Sequence, residues 1–216
     1  MHLPNGSQIF VEKTRGQEIA ASKITPAANP VLTLAASHGL KNGDYILVTE
    51  SNWPKLVNRV ARVKNVATND VTVEGFDTSD TNVFPGNGTG KVVKINDWIE
   101  LPCVQDLSQE GGEQQFYTFQ CLADDREQQI PTYKSAVTLT YTFAHEYDNP
   151  IYPILRKADE AGEVKMMRMY VPKAKEMRIW SGTISFNDIP QTSVNEMETV
   201  SISVSLKGNF ASVAAA

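Results

Sequence analysis

The sequence predicts a mainly β protein: a β-sandwich with one packed α-helix and a small all-β module inserted into it. Apolar residues alternate with serine or threonine in segments 137–143 and 199–206, which is the period of a strand with one buried face. Short strand-like segments separated by turn residues fill positions 30–95. Only one segment, at about residues 149–161, has the pattern of a helix.

Composition and charge exclude several classes of protein. The chain of 216 residues is 41% hydrophobic, and no apolar run approaches the roughly 20 residues that cross a bilayer, so we expect no membrane insertion. The first residues lack the basic and apolar regions of a secretory signal, so we expect folding in a cytoplasm. A net charge of -5 argues against tight nucleic-acid binding but is compatible with DNA passing close by, since like charges repel.

The N-terminal half is expected to hold one strand and then the inserted module. Residues 9–13 are a short apolar strand candidate, and a polar stretch follows as far as Ile24. Pro26 and Pro30 then mark a boundary. Five predicted strands follow, at residues 31–34, 44–48, 58–63, 71–73 and 91–95, with turn residues between them. This spacing predicts a small β-barrel or sandwich.

The second half contains longer strands and the helix. Strands are predicted at residues 115–120, 137–143, 164–171, 177–186 and 199–210, with a polar run at 123–131. The helix prediction depends on Asn149 as a capping residue, Pro150 in the first turn and Gly162 as the stop. The order of elements is therefore strand, polar loop, strand, helix and three strands.

The residue types that act in catalysis and metal binding in other proteins form no catalytic pattern in this sequence. The three histidines are scattered, so we expect no metal site and no cofactor. Cys103 and Cys121 are expected to be free, partly buried thiols. Asp124, Asp125 and Glu127 form a carboxylate cluster that suits an acid/base pair or a divalent cation, but its turn-like surroundings favour a solvated or interface loop. We therefore expect no enzyme activity.

Several motifs of the second half occur in a recognisable order. A polar loop at 123–132 and a strand at 134–144 precede the helix, and the segments 168–172, 178–185 and 199–210 follow it. Segment 168–172 reads Arg-Met-Tyr-Val-Pro, and segment 178–185 reads Arg-Ile-Trp-Ser-Gly-Thr-Ile-Ser. This order resembles the tail tube proteins (major tail proteins) of long-tailed, non-contractile bacteriophages of the lambda-like type. The resemblance covers roughly residues 98–210 and the first strand, whereas residues 30–94 have no counterpart in the minimal family.

The resemblance implies a structural virion protein with a tail-tube fold. Residues 1–29 and 96–216 would form the tail-tube β-sandwich, with residues 30–95 as an inserted module that projects outward. The protein would be assembled in the host cytoplasm as homohexameric rings that stack into the tail tube, a conduit for genomic DNA delivery. The partners implied are further copies of the chain and the tape measure, tail terminator and tail-tip proteins, and DNA would pass without tight binding.

Two sets of residues are the candidate assembly sites. The family stacks its rings through the extended loop before the helix, which implies a role in inter-ring contacts for Asp124, Asp125, Arg126, Glu127, Gln128 and Gln129. The hydroxyl faces of two predicted strands are candidates for the lumen wall or a subunit interface, and they consist of Ser201, Ser203, Ser205, Thr138, Thr140 and Thr142.

Two other functions compete with this prediction. One is the inner-tube subunit of a contractile particle, in which an outward module would obstruct the sheath. The other is a β-rich receptor-binding or carbohydrate-binding tail module, which would not polymerise. That second function requires a concave aromatic patch on the inserted module, built from Tyr45, Trp53 or Phe76.

Overall fold

A computed structural model describes residues 5–215 of the chain. Within this range there are fourteen strands and one α-helix, and twelve of the strands form one antiparallel sheet. The strands are β1 Gln8–Ile24, β2 Val31–Leu34, β3 Tyr45–Ser51, β4 Val60–Ala67, β5 Asp70–Glu74, β6 Gly88–Glu100, β7 Val104–Glu110, β8 Gln114–Phe119, β9 Gln128–Lys134, β10 Thr138–Ala144, β11 Val164–Val171, β12 Glu176–Gln191, β13 Thr199–Leu206 and β14 Ala211–Ala214; the helix is α1 Ile151–Ala161. The predicted mainly β fold is confirmed.

Strands β1 to β6 close into a barrel. The pairing order is β2, β5, β4, β3, β6 and β1, and β1 pairs with β2 again. The side chains enclosed by the barrel are almost all apolar, and they include Ile24, Leu32, Ile46, Leu56, Val71 and Val92. All five strands predicted for residues 30–95 are present, and β1 supplies the sixth. The division of the chain into domains at residues 29/30 and 95/96 stays a prediction.

β1 is much longer than the short strand that the sequence predicts. It runs beside β6 from Phe10↔Glu100 to Ile24↔Gly88, across the stretch that was expected to be irregular and polar. Several bulges interrupt the ladder between Glu12 and Glu18. Because a bulge shifts the register of a strand, the alternation of apolar and polar residues is lost although the chain stays extended.

Beyond the barrel the same sheet continues in the order β1, β11, β12, β13, β10 and β7, with β14 paired to β12. This section packs around one apolar core and is here called the sandwich. α1 covers one face of this section, and its buried residues Ile151, Leu155 and Ala158 join the same core as Trp180 and other side chains of the sheet. α1 ends at Gly162, which adopts the left-handed conformation with φ 59°, as the sequence predicts. No helix within residues 5–215 is long and apolar enough to cross a membrane.

A buried carboxylate ties β1 to β11. The side chain of Glu12 is fully buried, and its Oε2 accepts a hydrogen bond of 3.0 Å from the backbone N–H of Met166. Its other oxygen is paired with the guanidinium of Arg15, and the ammonium group of Lys165 lies 4.0 Å away. A buried charge is tolerated only when it is paired and hydrogen-bonded, and Glu12 meets both conditions.

A second cluster joins the barrel to the sandwich. The guanidinium carbon of Arg168, on β11, lies 4.5 Å from the ring centre of Trp98, 4.8 Å from that of Phe10 and 5.3 Å from that of Tyr45. These rings belong to β6, β1 and β3, so one cation contacts three other strands. Burial lowers the pKa of the Arg168 guanidinium from its usual value. Arginine nevertheless remains charged at neutral pH, which retains the attraction to the rings.

Replacing Arg168 with alanine is expected to lower the free energy of unfolding by about 2 kcal/mol, because a partly desolvated cation–π contact and the packing of the side-chain stem are both lost. Urea denaturation followed by tryptophan fluorescence measures the change. The matched control is Arg156→Ala, since Arg156 lies over a single ring at 5.9 Å and 55% of its side chain is exposed. Equal effects of the two substitutions would show that the three rings add nothing.

Candidate assembly surfaces

β8 and β9 form a hairpin that stands apart from the body of the protein. They pair only with each other, as a separate two-stranded sheet. The hairpin, here called the arm (residues 113–135), begins after Gly111 and Gly112, whose φ angles of 80° and 84° favour glycine. All seven residues of β9 are exposed. Because an isolated two-stranded hairpin is marginally stable in water, the arm is a segment that gains from contact with a partner.

The predicted ring-stacking residues lie together at the tip of the arm. Asp124, Asp125, Arg126 and Glu127 form the turn between the two strands, and Gln128 and Gln129 are the first residues of β9. The backbone O of Asp124 accepts a hydrogen bond of 2.8 Å from Gln120, and its Oδ2 accepts one of 3.1 Å from Gln128. Within residues 5–215 no group of side chains is arranged to hold a metal ion. The tip is therefore an ordered acidic turn that faces solvent.

The arm carries exposed apolar side chains that the sequence analysis did not single out, four on the two strands that form its shaft and one in the turn. The large ones are Phe116, Tyr117, Leu122, Ile130 and Tyr133, with exposed fractions between 51% and 111%. The ring of Tyr117 stacks on that of Phe119 at 6.2 Å. β9 itself was predicted as a loop, because Gln128, Gln129 and Pro131 are untypical of a strand. The available signal for a hairpin was the predicted strand β8, with its aromatic residues at 116, 117 and 119.

The predicted hydroxyl residues lie in one continuous face. β10 and β13 pair so that Thr138 is opposite Ser205, Thr140 opposite Ser203 and Thr142 opposite Ser201. The side-chain oxygens of Thr140 and Ser203 are 3.3 Å apart. Residues that are directly opposite share a face, so β12 and β7 extend it with Thr183, Ser185, Asn187, Asp106, Ser108 and Glu110. The opposite face of these strands enters the sandwich core.

The charge of this hydroxyl face is negative. Among the twelve positions contributed by β12, β13, β10 and β7, Asp106 and Glu110 are acidic and none is basic. Most of the others are small alcohols. A polyanion in contact with this face would therefore meet short polar groups and no cationic side chain.

Two edges of this four-stranded section have no partner strand within residues 5–215. β7 ends the pairing order on one side. On the other side, β11 stops at Val164↔Thr183, so from Ile184 to Gln191 the edge of β12 that faces away from β13 has no partner. An unpaired edge exposes backbone N–H and C=O groups that another chain can pair with. β7 itself was missed by the sequence analysis, because Val104 and Leu107 are its only apolar residues.

A sequence profile of the phage tail tube protein family, TTP, matches residues 51–215, which is more than half of the chain. The chain belongs to the phage tail tube protein family. No curated protein was found to match the chain.

Membership of the tail tube protein family agrees with the exposed arm, the hydroxyl face and the open strand edges described above. A tail tube protein is a structural component of the phage tail, and the family implies self-assembly into a polymer. The matched range includes the arm, the hydroxyl face and both open edges. It also includes β4, β5 and β6 of the barrel, so the family likeness extends into residues 30–94, which the sequence analysis left without a counterpart.

The surface of the barrel differs from that of the rest of this tail tube protein. Tyr45, Trp53 and Phe76 are 8%, 3% and 6% exposed, so they form core and not the aromatic patch that a carbohydrate-binding module requires. None of the exposed large hydrophobic residues found within residues 5–215 lies between positions 30 and 95. Cys103 and Cys121 are free thiols as predicted, but both are exposed and not partly buried.

Proposed function

We propose that this tail tube protein forms hexameric rings that stack into the tail tube of a long-tailed, non-contractile phage, and that genomic DNA passes through this tube into the host. The observation that carries the proposal is the four-stranded section β12–β13–β10–β7, which has an open edge on each side and a hydroxyl face. A ring needs two different, complementary edges on each subunit, and the two different open edges of this section support the proposal.

The direction of the strands suits closure of a ring. The four strands alternate in direction, so β7 of one copy lies antiparallel to β12 of a neighbour related by rotation. Six copies would contribute 24 strands. At a spacing of ~4.8 Å these give a circumference of roughly 115 Å and a diameter of roughly 37 Å before strand tilt widens the ring. A ring of this size is wider than a DNA duplex.

The hydroxyl face suits the inner wall of the ring. With Asp106 and Glu110 as its charged groups, the wall repels phosphate weakly and offers no ion pairs that would hold the DNA. The serine and threonine residues keep the surface wetted by water. DNA would therefore slide past Thr138, Thr140 and Thr142 without tight binding.

The remaining surfaces have separate roles in this arrangement. The arm would make the inter-ring contact, with Asp124, Asp125, Arg126 and Glu127 at its tip. The barrel would project outward, which agrees with its lack of large exposed hydrophobic residues. The tape measure, tail terminator and tail-tip proteins would set the length and close the ends of a tube assembled in the host cytoplasm.

Negative-stain electron microscopy of the purified protein at several concentrations tests the proposal. Annuli at low concentration and tubes at high concentration are the expected result, because both ring closure and stacking are association equilibria. Lone globules or trimers at every concentration would contradict it and favour a receptor-binding module.

The position of the hydroxyl face is tested by labelling. Ser203→Cys in a Cys103→Ser/Cys121→Ser background is expected to react with a large maleimide-polymer in dissociated subunits and to be protected in tubes, because the reagent cannot enter the lumen. Ala67→Cys, on the exposed surface of the barrel, is the matched control and should react in both states. Equal labelling of Ser203→Cys in tubes and subunits would place this face outside the lumen.

A further inference from the structure

The exposed large hydrophobic residues within residues 5–215 concentrate in two regions. Five of them are on the arm, and four others form what is here called the end patch: Tyr147, Ile189, Val194 and Met197, which are 91%, 73%, 89% and 61% exposed. Only Leu107 and Phe210 lie elsewhere. Isolated exposed apolar residues are common on proteins, but two separate groups of this kind indicate two contact surfaces.

The arm and the end patch lie at opposite ends of the same strands. The arm joins the end of β7 to the start of β10. Tyr147 follows the end of β10, and Val194 and Met197 precede β13, which is antiparallel to β10. The end patch is therefore separated from the arm by the full length of these strands.

The loops that carry the end patch are held by several contacts. The backbone N–H of His145 donates a hydrogen bond of 2.8 Å to the backbone O of Glu198. Gln105 Nε2 lies 3.3 Å from the Met197 sulfur. These bonds connect the segment after β10 and the segment before β13 to each other and to β7, so the apolar side chains are presented on a common end of the sheet.

We propose that the end patch is the surface that receives the arm of a subunit in the next ring. This inference depends on the proposed stacking of rings and names the partner of the arm within it. The arm presents apolar side chains at one end of the subunit, and the end patch presents them at the other. When two different surfaces at opposite ends of a subunit bind each other, the same contact can be made again by each added ring, so the stack can grow without limit.

The charges of the two surfaces do not attract each other, so the proposed contact depends on apolar burial. The arm has four acidic residues, at positions 113, 124, 125 and 127, against Arg126 and Lys134. The segments of the end patch have five, at positions 146, 148, 188, 196 and 198, and Arg156 pairs with Asp188. Both surfaces are thus net acidic and repel each other. Salt screens this repulsion, so tubes are expected to lengthen as NaCl rises from about 50 to about 500 mM, and shortening would contradict the inference.

The direct test introduces a charge into the end patch. Val194→Asp and Tyr147→Asp, made separately, are expected to form annuli but no tubes at concentrations where the unmodified protein forms tubes. Ala67→Asp, which adds the same charge to the barrel surface, should form normal tubes. Normal tubes from Val194→Asp would overturn the inference while the proposed function stands. Loss of annuli would also overturn it, by placing the patch in the contact within a ring.

A mixing experiment tests that the two surfaces bind each other. Tyr117→Asp rings have a defective arm and an intact end patch, and Val194→Asp rings have the reverse. Mixed together, they are expected to form pairs of rings and nothing longer, because only one productive contact remains. Single rings in the mixture would overturn the pairing of arm and end patch. Absence of tubes from both the unmodified protein and Ala67→Asp would overturn the proposed function as well.

Discussion

Replacing Gln114–Lys134 with a short Gly/Ser linker is expected to abolish tubes while leaving a folded subunit. The arm forms its own two-stranded sheet, so its removal takes no strand from the twelve-stranded sheet and no side chain from the three apolar cores. The free energy of unfolding should therefore change by no more than ~0.5 kcal/mol, as for other surface changes. Electron microscopy and thermal unfolding together measure the two effects.

The control for this experiment replaces only the tip. A Gly/Ser turn in place of residues 123–127 removes the acidic cluster but keeps Leu122 and, on the shaft, Tyr117, Ile130 and Tyr133. If apolar contacts carry the stacking, this variant should still form tubes, and these should be no shorter than those of the unmodified protein, because carboxylates that repel the acidic end patch have been removed. Tubes of normal length from the replacement of the whole arm would refute its role in stacking.

Glu12→Ala is expected to cost about 3–5 kcal/mol of stability, as much as truncating a large side chain of the core. The substitution leaves the N–H of Met166 without its acceptor and removes the carboxylate that Arg15 pairs with. Glu12 and Met166 are fully buried between β1 and β11, whereas 29% of the Arg15 side chain is exposed. A buried donor without a partner loses its full hydration energy, and the cavity left by the side chain adds to that cost.

Glu18→Ala is the matched control, because it removes the same side chain from the same strand. The carboxylate of Glu18 lies 3.3 Å from Lys91, and 47% of its side chain is exposed. Exposed pairs of this kind contribute at most about 1 kcal/mol. Urea denaturation of both variants gives the comparison, and a Glu12→Ala variant as stable as Glu18→Ala would refute the role assigned to the buried carboxylate.

The regular parts of the fold were predictable because their physical cause is local. Alternation in 199–206 predicted β13, and Gly162 predicted the end of α1, since each pattern depends on a few neighbouring residues. A barrel was one of the two predicted forms of the module, but its closing strand was not predictable in the same way. Closure depends on the second half of β1, where bulges interrupt the alternation and pairing with β6 and β2 keeps the chain extended.

The same distinction applies to the candidate sites: those with a local sequence pattern were predicted, and those without one were missed. The hydroxyl residues were found because serine and threonine at every second position mark one face of a strand. The open edges of β7 and β12 were not found, because an edge is defined by which strands fail to pair, and this is a property of the whole sheet. The end patch lies in loops, and Val194 and Met197 have no periodic pattern that would single them out.

The sharing of β1 between the barrel and the sandwich has a consequence for engineering. Because the two cores are joined by a continuous strand and by the ring cluster around Arg168, there is no flexible linker between them. A peptide grafted into the exposed turn at Thr68 and Asn69 would be displayed at a fixed radius and with a regular repeat along a tube. Cutting the barrel out at residues 30–95 would remove most of β6, and with it the partner along which β1, the strand shared with the sandwich, is paired.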